Sequence, residues 1–156
     1  PVVDNSGWEH VKTDIADVHD YTEEAQSFER NWSQFSIGGG QIPTVHRPAF
    51  AQGRAYAGQP VVISEYGGIA LAGFDAPAGS KATHYGRLMP NAEEFVQRYR
   101  ASTEAILQHP SLAGFCYTQL YDIEQEVNGL LTFDRRAKVG MAAIAQINSK
   151  PAAIEK

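Results

Sequence analysis

Four short apolar runs punctuate the chain, at 1–3, 13–18, 60–64 and 112–117, each followed at once by polar or aromatic residues, and they predict β-strands. Val61-Val62-Ile63 is continuously β-branched rather than alternating, the pattern of a parallel strand covered on both faces. Parallel strands need long crossovers, and helical spacing fills the gaps. Asn91 can cap a helix with Glu94 three positions on, and Phe95, Tyr99, Ile106 and Leu107 recur near one face before Pro110 stops it. A second helix is expected over 139–148, with Met141, Ile144, Ala145 and Ile147 as its apolar side and Pro151 barring continuation. A third is expected over 23–32.

Two Gly/Pro/Ala-rich stretches, 38–58 and 73–90, are too long to be simple connectors, and such loops after strands commonly carry function. No solenoid period or low-complexity tract is visible, so the order strand, loop, helix, strand points to an α/β class with parallel strands.

Composition narrows the partners. The 156 residues suit one domain and fall short of the roughly 250 of a complete eight-stranded barrel. No apolar run is long enough to cross a bilayer, so no membrane partner is expected. Thirteen Lys and Arg stand against 18 Asp and Glu without forming a basic stripe, which argues against nucleic acid. The single cysteine, Cys116, cannot form an internal disulfide, slightly favouring a reducing, cytoplasmic setting, and its apolar strand suggests buried packing. Beginning at Pro1, without a signal-like segment, the chain reads as cut from a longer protein.

Chemistry suggests itself first at Ser64-Glu65-Tyr66-Gly67-Gly68, where a carboxylate closes a buried strand and glycines turn the chain away. Such a group can attack an anomeric carbon or move a proton; it can equally be a salt-bridged strand end. Asp17-Val18-His19-Asp20-Tyr21 closes another strand with an imidazole, carboxylates and a phenol able to grip hydroxyls or a neighbouring carboxylate. One His beside Asp, with no second well-spaced His, argues against a metal, and no cofactor is expected. The segment from Tyr117 through Gln119, Asp122 and Asn128 to Gly129 mixes flat aromatics with amides and acids, suiting either a carbohydrate-facing surface or an ordinary solvated loop. Asn5 and Trp8 follow the first apolar run, and Trp8 serves equally as core or sugar platform.

The ordered segments Pro1 to His10, Thr13 to Tyr21, Pro60 to Gly68, Gly114 to Leu120 and Val127 to Arg136 resemble glycoside hydrolase family 2 over most of the chain. The resemblance implies the C-terminal half of a TIM barrel, strands five to eight with their helices. It implies that Glu65, in the Glu-Tyr-Gly segment, is the catalytic nucleophile, that Tyr21 stands beside it, and that His19 contacts the sugar. Tyr117 falls where many relatives carry an active-site Trp. The family's acid/base Glu belongs to an Asn-Glu pair, and no such dipeptide occurs here. Relatives acting on glucuronides carry Asn-x-Lys before the glycine matched by Gly129, whereas this chain reads Glu126-Val127-Asn128.

Together these readings lead to a fragment of a retaining glycosidase acting on a neutral β-glycoside such as a β-galactoside. Glu65 is its catalytic residue, and Asn5, His19, Asp20, Tyr21, Tyr117, Gln119 and Asp122 are its candidate substrate contacts. The fragment alone is expected to be inactive, because the acid belongs to the missing N-terminal half of the parent, and to form a homo-oligomer through its open sheet edge. The rivals are a noncatalytic carbohydrate-binding or scaffold domain, and a self-contained hydrolase whose acid is Asp20, Asp122 or Glu124.

Overall fold

The computed structural model of the chain describes residues 1–43, 45–74, 76 and 81–156; positions 44, 75 and 77–80 of the two expected loops lie outside it. Three parallel strands, β1 (Ala16–His19), β2 (Val61–Gly67) and β3 (Leu112–Thr118), form one sheet in the order β1-β2-β3. Helix α1 (Ala25–Trp32) lies in the first crossover and α2 (Ala92–Gln108) in the second, and α3 (Met141–Asn148) follows β3 and packs on α2. None of these helices is long and apolar enough to cross a membrane.

The expected half-barrel of four strands gives way to this open three-stranded α/β sheet. The missing strand is the run at 1–3, which stays exposed and outside any ladder. Val2 N donates to the Asp14 carboxylate at 2.7 Å, and Val2 O accepts from Asp14 N at 2.8 Å and from the Thr13 hydroxyl at 3.1 Å. That local clasp satisfies its backbone without a strand partner. The run at 13–18 contributes only its second half to the sheet; before it, Asp14 N is committed to Val2 O and the Thr13 hydroxyl bonds Val2 O and Ile15 O.

β2 occupies the centre, as its β-branched run requires, with Val61 and Ile63 fully buried. Two apolar clusters cover the sheet. One gathers Phe28, Trp32, Phe35 and Ile42 with strand residues and Ile106; the other gathers Ile69, Leu71, Met89, Phe95 and Tyr99 of the β2–α2 region with Leu130, Ile144 and Ile147. The four apolar residues read along α2 are all buried. On α3 only Ile144 and Ile147 are, while Met141 and Ala145 face outward. Cys116, expected inside, is exposed. It lies on β3, one of the two edge strands, which has β2 on one side only.

The cap of α2 forms as its sequence dictates. Asn91 Oδ1 accepts from Glu94 N at 2.9 Å, and the Asn91 amide donates to the Glu94 carboxylate at 3.1 Å. Asn91→Ala should therefore cost about 1 kcal/mol, read as a lower urea midpoint at unchanged m-value, whereas Asn91→Asp should stay close to the parent.

A second local device ties down the segment before β1. The Asp4 carboxylate accepts from Lys12 N at 2.8 Å and Val11 N at 2.7 Å and meets His10 Nδ1 at 2.7 Å. The Lys12 amide foremost, then His10, hold its pKa far below the usual carboxylate range. A depressed folded pKa contributes stability above the ordinary Asp value, lost as pH falls through the folded one. Asp4→Asn should thus lower Tm at neutral pH, with the gap to the parent closing only in strong acid.

Candidate active site

The sheet's register builds the site. β1 and β2 run in step through Val18 opposite Ile63; a register shift then sets His19 opposite Glu65. Asp20 N continues the pairing by donating to Glu65 O at 2.9 Å. β3 ends alongside, with Thr118 opposite Gly67. The C-terminal ends of all three strands thus meet around one carboxylate.

Glu65 Oε2 accepts the Tyr21 hydroxyl at 2.6 Å and stands 3.1 Å from His19 Nδ1. Its side chain is 38% exposed, so it is anchored yet reachable. Among the described residues, Oε1 has no hydrogen-bond partner. The Tyr21 oxygen lies 3.2 Å from Thr118 Oγ1, whose hydroxyl can donate in return. Burial, and then the bond to Glu65, push the Tyr21 phenol well above its ordinary pKa, so it stays a proton donor to the carboxylate.

Tyr21 is itself backed by Tyr85, the two rings stacked at 3.6 Å and 10°. Gly68, at φ +56°, makes room: a Cβ there would lie 2.3 Å from the Tyr85 ring. Tyr85 N donates to Gly68 O at 2.9 Å. From behind, the buried Arg98 guanidinium donates to Tyr85 O at 3.3 Å and Arg87 O at 3.0 Å, and its Nη1 pairs with Glu23 at 3.2 Å. Burial lowers the Arg98 pKa and Glu23 opposes that shift.

The other candidate residues hold different posts. Asn5 donates to Trp8 O at 2.7 Å in an exposed turn. Asp20, almost fully buried, accepts from Thr22 N and from Trp32 Nε1, both at 2.8 Å. The Tyr117 oxygen accepts from Ile69 N and donates to Asn128 O, both at 3.2 Å, and its ring packs against Tyr66 and Tyr99. Gln119 donates to Glu126 at 3.0 Å and to Asn128 Oδ1 at 2.8 Å. Asp122 is tied to Lys138 Nζ at 2.6 Å and Gly129 N at 2.9 Å. Burial lowers the Lys138 pKa despite that partner. Tyr85 and Arg98 escaped the sequence reading: one sits in an irregular loop and the other looks like a solvated helix cation.

A cavity of about 640 Å³ lies elsewhere, lined in part by Phe74, Asp122, Glu124, Gln125, Phe133 and Arg136; Glu65 is not in its wall. Among the described residues, no group of three or more His, Cys, Asp or Glu could hold a metal ion.

Neither a family model nor a curated protein matches the chain. Solved structures do. A GH2 beta-galacturonidase from Eisenbergiella tayi bound to glycerol matches at TM-score 0.58 and 14% identity, over 90% of this chain and 24% of that one. A beta-glucuronidase from Faecalibacterium prausnitzii matches at 0.52 and 20%, over 90% and 22%. An exo-beta-agarase matches at 0.53 and 13%, over 88% and 16%. The fold is like part of these glycoside hydrolases. The chain spans about a quarter or less of their length.

The buried Arg98 makes its own prediction. Arg98→Met removes both donors to the loop and leaves two carbonyls unpaired, which should cost about 1–3 kcal/mol in urea denaturation and speed hydrogen exchange at the Tyr85 amide.

Proposed function

We propose that the chain carries the nucleophile of a retaining glycoside hydrolase, Glu65, and works together with an acid supplied from outside these residues. The observation that carries this reading is the Glu65 carboxylate itself: fixed at a strand's C-terminal end by a phenol that stays protonated, partly exposed, and with Oε1 free among the described residues. In such a mechanism Oε1 attacks the anomeric carbon, a second carboxyl protonates the leaving oxygen, and water later releases the sugar. A retaining pair stands about 5 Å apart. Neither Asp20 nor Asp122 suits the second role, since each spends its carboxylate on buried partners. The isolated chain is therefore expected to turn over poorly.

The substrate we propose is a neutral β-glycoside such as a β-galactoside. Glu126 lies beside Gln119 and Asn128, and the nearby Lys138 is buried against Asp122 and Val127 O. That segment presents negative charge, which repels a sugar carboxylate. Contact with the sugar falls to His19 and Tyr21 beside Glu65, with Gln119 as a further amide donor.

Mass spectrometry after incubation with an activated 2-fluoro glycoside tests this directly, since labelling needs only the nucleophile and a good leaving group. The expected result is one covalent adduct on Glu65, absent in Glu65→Gln and stronger with a galactoside than with a glucuronide reagent. Sugar binding without an adduct, preserved in Glu65→Gln, would instead favour a noncatalytic carbohydrate-binding domain.

A further inference from the structure

We propose that Ser6 is a positioning residue that holds the His19 imidazole as its Nδ1–H tautomer, with the protonated nitrogen the one nearer Glu65. The functional weight of this rests on Glu65 being the working carboxylate; the tautomer itself does not.

The chemistry at the two ring nitrogens differs. Nδ1 stands 3.1 Å from Glu65 Oε2, an oxygen already accepting from Tyr21. The approach is a close charge–dipole contact rather than an aligned hydrogen bond, and a carboxylate oxygen at that distance favours a proton on the nearer nitrogen over a bare lone pair. Nε2 lies 3.0 Å from Ser6 Oγ, a hydroxyl able to donate. With Ser6 O–H directed at Nε2, the ring proton is left on Nδ1, because the hydrogen bond at one nitrogen sets the state of the other.

The surrounding segment is shaped to this ring. Gly7 has φ +81°, and a Cβ there would come within 2.3 Å of His19 Cδ2, so only glycine lets the backbone pass across the imidazole. Gly7 N donates to Asp17 Oδ2 at 2.9 Å, and the Ser64 hydroxyl donates to the same oxygen, tying the turn to β1 and β2. Trp8 meets the ring edge-on at 4.7 Å. Ser6, Gly7 and Trp8 therefore all contact one imidazole, and of the three only Ser6 offers it a hydrogen bond.

Ser6 is exposed, so its replacement leaves the core intact. The test is long-range ¹H–¹⁵N correlation of the ¹⁵N-labelled chain at mildly alkaline pH, with the His19 signals assigned among the five histidines through His19→Gln. The parent is expected to show a pyrrole-type Nδ1 and a pyridine-type Nε2. Ser6→Ala should move the pyrrole-type resonance towards Nε2, and Ser6→Thr, which keeps the hydroxyl, should restore it. An Nε2–H ring or an imidazolium in the parent, or a Ser6→Ala spectrum unchanged because water replaces the hydroxyl, overturns the proposal. The rate of 2-fluoro glycoside labelling separates the two readings. If the tautomer shifts but no adduct ever forms, the nucleophile reading alone fails; if Glu65 is labelled while the tautomer ignores Ser6, this one alone fails.

Discussion

Between Val18 and His19 the pairing of β1 with β2 skips one residue, so that His19 lies across from Glu65 rather than Ser64. Side chains alternate along a strand, and a one-residue slip exchanges which faces meet. Here the slip divides the labour of neighbouring residues. Ser64 binds Asp17, which in turn holds Gly7 and the turn over the imidazole, while Glu65 meets His19 and Tyr21. An uninterrupted ladder would set His19 opposite Ser64 instead.

The same economy governs the polar groups near the strand ends. Carboxylates at Asp17, Asp20 and Asp122 are buried and committed to backbone amides, an indole or a lysine, which offsets the cost of removing them from water. Glu65 differs in exposure: its side chain is 38% exposed, whereas those three are buried. Its support comes from aromatic stacking as well as hydrogen bonds: Tyr21 rests on Tyr85, and Tyr85 is fastened to α2 through Arg98. A helix residue far along the chain thereby fixes the phenol that orients the carboxylate.

How much of this could be read beforehand follows from where the information lies. The central strand was legible because the β-branched run Val61-Val62-Ile63 favours a strand, with Val61 and Ile63 buried and Val62 half-buried, and the α2 cap because its signal spans four residues. The run at 1–3 misled because an apolar triplet says nothing about whether a ladder partner exists, and Asp14 offered it a local one. Cys116 misled because strand composition does not reveal an edge. Glu65 and its neighbours were found as types at strand ends, but not the slip that joins them, since register is a relation between distant segments. Tyr85 and Ser6 belong to irregular backbone, whose course no periodicity encodes.

Tyr21 remains protonated because burial and the Glu65 hydrogen bond both disfavour its phenolate. A donor that cannot lose its proton stabilises the ionised carboxylate without competing for its charge, and it leaves the geometry of Oε2 fixed while Oε1 stays open. For a nucleophile this is the useful division, since one oxygen sets direction and the other reacts.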